Sequence, residues 1–259
     1  MSYLEKEVRH LFGKAVHCYG LIEDGDHIAV AVSGGKDSIT LLTLLQERLR
    51  HVPIHYELRA IYVDLGFDAT IADELRKFFE KIDVPYDIIK TDHGIKAHSK
   101  ANLEHPCFLC SRLRRMTLFR HAWKIGFRKI AFGHNQDDFI ETFFMNICFS
   151  GQTSSIVPKQ TFFDGEIVVI RPLALVPSHK IARFVEQTGL PHFPNPCPSA
   201  GKSTRTHIRR FLGSLYRVND KVRGNIFRAM SHVNLEYLPP PLESEKKDVG
   251  NAKKDHLSD

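Results

Sequence analysis

Short apolar runs alternate with helix-patterned stretches along most of this chain, and that alternation constrains the fold more than any other feature. "HIAVAV" is followed by a helical pattern over 37–50, "ELRAIYVDL" by one over 70–82, "PYDIIK" by one over 109–125 and "RKIAFG" by one over 137–148. A further run, "EIVVIRPL", leads to a helical pattern over 178–188 that stops at Gly189. The strand runs are apolar nearly throughout, so both of their faces are covered. Strands and helices alternating in this way predict an α/β fold in which a parallel sheet carries helices on both faces. In such a sheet a ligand sits beyond the carboxyl ends of the strands.

The first strand ends in a stretch that suits a ligand. In "AVSGGKDSITLL" the residues Ser33, Gly34, Gly35, Lys36, Asp37 and Ser38 must turn sharply from strand to helix. Such a turn aims free backbone N–H groups at one point, the helix dipole adds positive character, and glycines admit a phosphate close to the backbone. The spacing differs from the kinase and GTPase loop G-x-x-x-x-G-K-S/T, because here the lysine follows the glycines directly. Gly-Gly with Asp and Ser is also ordinary turn and capping chemistry, and the pair alone would not separate the two readings.

Composition narrows the setting. The 259 residues are 42% hydrophobic, enough for one large α/β domain with an appendage or for two modest ones. No run of 18 or more apolar residues appears and "MSYLEKEVRHLF" is not signal-like, so the expectation is a cytoplasmic protein without a membrane span. Five cysteines, unevenly placed, do not make a secreted disulfide framework. The net charge of +6 is concentrated: residues 202–228 carry eight basic side chains against the single acid Asp220, and 111–129 carry seven with no acid. Either run alone can be a solvated helix face; two of them point to a polyanion.

Cys107 and Cys110 form a Cys-x-x-Cys in "EHPCFLCSRLRR", and Cys197 lies in the four-proline loop "LPHFPNPCPSAG". Two thiolates at that spacing can reach one metal, and a helix N-terminus lowers a thiol's pKa. A redox pair, or two small residues packed under a helix, fits the same spacing. A structural zinc would need a fourth ligand from His105, His134 or His192, whereas an iron–sulfur cluster tolerates three thiolates and an open site. Cys18 and Cys148, within apolar helical patterns, are expected in the core. "GHNQDD" places Gly133, His134 and Asp138 at a helix start, where acids complement the dipole whatever else they do.

Taken together, "SGGKDS", "CFLCSRLRR", "GHNQDDFIETFFMN", "IRPLA" and the loop around Cys197 resemble the tRNA 2-thiocytidine biosynthesis (TtcA-like) family of the PP-loop ATP pyrophosphatase superfamily, over roughly residues 5–235. The resemblance implies a Rossmann-like sheet and ATP as co-substrate, with Ser33, Gly34, Gly35, Lys36, Asp37, Ser38, Asp64 and Gly133 at the nucleotide. It implies catalytic roles for Lys36, Asp37, His134 and Asp138, with Mg2+ on Asp37 or Asp138. It also implies a 4Fe-4S cluster on Cys107, Cys110 and Cys197, with an open iron as the place where sulfur is held. One departure is that the family often has a further cysteine just before the third ligand, where this chain has prolines. The activity implied is adenylation of the C2 oxygen of an anticodon-loop cytidine and its replacement by sulfur. The partners implied are tRNA and a sulfur donor such as a cysteine desulfurase, with room for a homodimer. The corresponding organisation is an N-terminal helix over 1–26, an ATP-binding α/β domain over 27–190, a cysteine loop with basic helices over 191–238 and a disordered tail over 239–259. Arg112, Arg115, Arg205, Arg209 and Arg210 are the expected RNA contacts. If phosphates are their ligands, tRNA affinity measured across a salt series falls steeply, each contact contributing roughly 0.7–0.9 to the log–log slope. A flat response would exclude a polyanionic substrate.

Overall fold

A computed structural model describes residues 1–102, 105–201 and 203–239. Six strands form one sheet: β1 (Asp26–Val32), β2 (Tyr56–Asp64), β3 (Tyr86–Lys90), β4 (Lys129–Ala131), β5 (Lys159–Phe162) and β6 (Ile167–Ile170). Their order is β3-β2-β1-β4-β6-β5. All neighbouring pairs are parallel except β5 with β6, which is antiparallel. The chain reverses direction across the sheet between β1 and β4, with Val30 flanked by Ala60 and Ala131. That reversal opens a crevice at the strands' carboxyl ends.

The helices are α1 (Tyr3–Cys18), α2 (Lys36–Arg48), α3 (Thr70–Lys81), α4 (His93–Ala97), α5 (Pro106–Lys124), α6 (Gln136–Ser150), α7 (Ser178–Thr188), α8 (Thr204–Val218) and α9 (Val222–Ala229). The period-two geometry of β1 divides them between two layers. Ile28, Val30 and Val32 enter the larger core with residues of α1, α2, α3 and α7, such as Phe12, Leu42, Phe79 and Phe184. Ala29 faces the other way, toward Leu118, Phe119 and Ala122 of α5. A third cluster joins Ile140 of α6 to Ile208 and Leu212 of α8, with Ile226 and Phe227 of α9 packed against it. Each fully buried Leu, Ile or Phe contributes about 1.5–3 kcal/mol, so the two sheet layers dominate the stability.

The structure departs from the sequence reading in four places. The sheet gains β5, a short edge strand turned onto β6 through Phe163, Asp164 and Gly165, all with positive φ; the Asp-Gly pair is its sequence signal. The five-residue α4 is too short to show a periodicity. The last basic helix, expected from the sequence over about 222–236, ends at Ala229, where the Ser231 hydroxyl and His232 Nδ1 both bond the Arg228 carbonyl and draw the chain out of the helix. Cys18 and Cys148 are exposed, each near the C-terminal end of its helix and beyond the cores. The tail expectation falls, from residue 240 onward, outside the described residues.

Gly133, just after β4, sits so close to α2 that a Cβ there would lie 3.0 Å from both the Asp37 carbonyl carbon and the Ser38 nitrogen. Backbone cannot yield as a side chain can. Gly133→Ala is therefore expected to destabilise the protein by about 1–3 kcal/mol. Gly224→Ala, in α9 with open space around its Cβ, should be neutral or slightly stabilising, as helix propensity predicts. Comparing the two thermal unfolding curves checks this; equal stability would mean the crossing is loose.

Candidate active site

α2 starts at Lys36 with Gly35 as its N-cap, and no side chain among the described residues caps it. The loop is instead tied to itself through Ser38. That hydroxyl donates to the Gly35 carbonyl at 2.9 Å and accepts the Ser33 N–H at 3.1 Å. Gly34 takes φ +82°, and Phe193 packs over it while donating its N–H to the Gly34 carbonyl at 2.9 Å. The first-turn N–H groups of α2, which have no partner within the helix, are left at the crevice. An anion is the complementary ligand.

A cavity of about 670 Å3 occupies the crevice, within the range of small-molecule sites. It is lined by Ser33, Gly35, Asp37, Ser38, Asp64, Gly133, His134 and Asp138, all of which the sequence reading had placed at the nucleotide or the chemistry. Gly34 lies beneath Phe193, and Lys36 is directed to the start of α7, its Nζ 3.5 Å from Ser178 Oγ. Asp64 accepts the Gly66 N–H at 2.9 Å. Arg114 and Arg171 also line the cavity; neither was singled out from the sequence. A single arginine ending the apolar run "IVVI" was the available signal for Arg171, since a cation placed there has no role in packing.

Two carboxylates face one another across the loop. Asn135 caps α6, accepting the Asp137 N–H at 2.9 Å, and its amide donates to Asp37 at 3.2 Å. Asp138 accepts the Asn135 N–H in return at 2.9 Å. Burial pushes the Asp37 carboxyl up to about 6, opposed by Lys36 and reinforced by the Asp138 charge. Burial raises Asp138 as well, against the pull of Asn135 and Arg205. Two raised carboxyls and hard oxygen donors suit a divalent cation, which would relieve both. His134 is driven down to about 3, first by burial and then by Arg171, Arg205 and Arg114, so it is neutral at physiological pH.

Cys110 and Cys197 lie next in sequence to residues of this cavity. The Cys110 thiol is raised by burial, against the pull of Arg114, and further by the charges of Cys197 and Cys107, which are near enough to act on it. Burial here outweighs the lowering expected at a helix start. Ser111, next to Cys110, and Pro196, next to Cys197, both line the cavity. Among the described residues no three His, Cys, Asp or Glu side chains converge on a point that one metal ion would fill. A four-iron cluster is a larger body whose irons take separate thiolates, and three soft thiols suit it. The histidine in contact with Cys197 is His98, which was not considered from sequence. Its Nδ1 donates to the Gly94 carbonyl at 2.9 Å, leaving Nε2 to face Ser199 Oγ at 2.8 Å and Cys197 Sγ at 3.7 Å.

The basic runs divide. Arg205 reaches Asp138 at 3.3 Å and Thr142 at 3.2 Å, and Arg209 grips the buried Glu141 with two bonds of 2.7 and 3.0 Å. Both therefore tie α8 to α6, while the Arg209 side chain stays 64% exposed. Lys129 is buried and paired with Asp26. Arg115 lines the cavity, Arg112 lies exposed over the Phe108 ring at 5.6 Å and Arg210 is exposed. Lys202 falls outside the described residues.

Residues 2–215 match the model of the PP-loop domain family, the class of protein that this crevice and its uncapped loop define. The tRNA-cytidine(32) 2-sulfurtransferase of Geobacter sulfurreducens is 36% identical over 236 residues, which cover 90% of this chain and 92% of the relative. The enzyme of the same name from Syntrophotalea carbinolica is 36% identical over 255 residues, 97% of each. The chain belongs to the PP-loop family, in the branch of the tRNA-cytidine(32) 2-sulfurtransferases. Among solved structures, the U34-tRNA thiolase of Methanococcus maripaludis with its 4Fe-4S cluster superposes with a TM-score of 0.74 at 24% identity, over 93% of this chain and 84% of that one. The NH3-dependent NAD synthetase of Campylobacter jejuni does so at 0.51 and 14%, over 94% and 100%. Both likenesses concern the fold.

The raised Asp37 carboxyl has a pH signature. Its unfolded value is 3.8 and its folded value about 6, so between them the folded protein holds an extra proton. Stability falls as pH rises through that window and then levels off. If the Asp37 carboxylate holds a divalent cation, Mg2+–ATP binding is expected to tighten over the same range. Thermal unfolding and titration calorimetry from about pH 3.5 to 7 measure both effects, and Asp37→Asn is expected to flatten each.

Proposed function

We propose that this protein is an ATP-dependent tRNA sulfurtransferase that replaces the C2 oxygen of an anticodon-loop cytidine with sulfur. The observation that carries the reading is that Ser111 and Pro196, neighbours of the cysteines, line the same cavity as the glycine loop. Nucleotide activation and sulfur delivery would then share one chamber. The names of the relatives supply the substrate class.

A pyrimidine carbonyl oxygen leaves poorly, and transfer of AMP to it makes a good leaving group. The first-turn N–H groups of α2 hold the pyrophosphate of ATP, and the Lys36 ammonium neutralises it. Asp37 and Asp138 hold Mg2+. The cytidine O2 attacks the α-phosphorus, pyrophosphate departs, and a sulfur nucleophile then adds at C2 and expels AMP. Cys107, Cys110 and Cys197 hold a 4Fe-4S cluster, which when bound supplies soft iron for keeping sulfur at the rim of the cavity. The sulfur comes from a donor such as a cysteine desulfurase, in a cytoplasmic setting. No described helix is long and apolar enough to cross a membrane. Arg112, Arg115, Arg205, Arg209 and Arg210 are the RNA contacts of this reading, and of the pair bound to α6 Arg209 keeps most of its side chain exposed.

Protein purified without oxygen is expected to be brown, with about four irons per chain. Changing Cys107, Cys110 or Cys197 to Ser should remove the colour and the product, while Cys18→Ser and Cys148→Ser should leave both. Lys36→Ala or Asp37→Ala should keep the iron and lower product formation about a hundredfold or more. Mass spectrometry of tRNA nucleosides from cells with and without the gene tests the product directly. Unchanged 2-thiocytidine would overturn the reading.

A further inference from the structure

Arg171 follows β6 and is buried at the floor of the cavity. Its guanidinium is engaged along every edge. Nη1 donates to the Val157 carbonyl, Nη2 to Gln160 Oε1 at 3.3 Å and Nε to His134 Nδ1 at 3.3 Å. Arginine has donors and no acceptor. The last contact therefore makes His134 Nδ1 the acceptor and puts the imidazole proton on Nε2. The ring is also stacked on Phe132, with centroids 5.6 Å apart and planes 22° from parallel. Turning the ring over would aim a carbon or an N–H at the guanidinium and lose the bond.

We propose that Arg171 is a positioning residue that locks His134 as the neutral Nε2–H tautomer, and that His134 acts as a fixed hydrogen-bond donor to the target base and not as a proton carrier. The charged groups that face His134 agree with this. Arg171 after β6, Arg205 from α8 and Arg114 from α5 are all cationic, and with burial they hold the imidazole far below neutrality. A second proton has nowhere to be stabilised. The donor matches one class of substrate: cytosine offers O2 and N3 as adjacent acceptors, whereas uracil offers an N–H at N3. A neutral donor on N3 leaves O2 free to attack the α-phosphorus and holds the base in register without giving up its proton.

The inference rests on the proposed thiolation, and its test separates the two. Nitrogen-15 NMR of imidazole-labelled protein, with His134 assigned by the signals missing in His134→Gln, is expected to show protonation at Nε2 alone from about pH 5 to 8. Protonation at Nδ1, or a cationic ring at neutral pH, would overturn the lock without bearing on thiolation. Pyrophosphate release with tRNA then tests the donor. His134→Gln, which keeps a neutral N–H but cannot carry a proton, should stay within about tenfold of wild type, while His134→Leu falls about a hundredfold or more. Equal loss in both would overturn the donor role. Arg171→Met should give mixed tautomers and a lower kcat, with KM for ATP little changed; a single Nε2–H tautomer in that variant would overturn the positioning role. Wild-type protein releasing no pyrophosphate in response to any tRNA would overturn the thiolation reading and the base contact with it, leaving the tautomer decided by NMR.

Discussion

The close passage of two strand-to-helix turns is the constraint on which the rest of the structure depends. The turn from β1 to α2 and the turn from β4 to α6 meet at the crevice where the strand order reverses. Gly133 lets their backbones touch, and Asn135 joins them by capping α6 while donating to Asp37. Two helix N-termini and two carboxylates are thereby held around one point. The partial positive charge of the helices favours an anion there, and the buried carboxylates favour a cation. A metal-bound polyphosphate meets both demands.

α6 extends this arrangement to the C-terminal helices. Three acids in its first two turns each take an arginine from beyond the sheet: Asp137 binds Arg223, Asp138 binds Arg205 and Glu141 binds Arg209. Asp137 also accepts the Ser178 N–H at the start of α7. Glu141 is buried, so removing Arg209 would strand its charge, whereas the exposed Arg209 loses little when its acid is removed. The effect of these pairs is to fix the placement of α8, and with it the loop carrying Cys197. Phe193, bonded to Gly34, anchors the same loop at its other end. The loop carrying Cys197 is thereby tied to the phosphate loop at one end and leads into α8 at the other.

Charge within the cavity is divided in the same way. Asp37 and Asp138 stand at the α2 side, while Arg114, Arg115 and Arg171 stand at the α5 and β6 side. His134 lies between these groups and stays neutral because burial and three arginines oppose its protonation. The carboxylates gather the cation and the arginines leave room for groups that accept hydrogen bonds. Chemistry that needs an activated oxygen on an RNA base fits this polarity.

The parallel sheet, the anion-seeking turn over Ser33–Ser38 and the two helix starts that carry Asp37 and Asp138 are legible along the chain, because periodicity, glycine and capping chemistry act within a few residues of each other. The sequence also marked Cys107, Cys110 and Cys197 as a set through spacing and family resemblance. Which charges are paired is settled by contacts between distant segments. Arg205 and Arg209 lie in a basic run, but the acids that claim them are more than sixty positions away in α6, and no local pattern records that distance. Lys129 is claimed in the same way by Asp26. Arg171, His134 and Gln160 come from three separate segments, so their common hydrogen-bond network exists only once β5 pairs with β6. Backbone preferences are local and can be read along the chain. Side-chain partners and burial depend on contacts between distant segments, and folding alone brings those together.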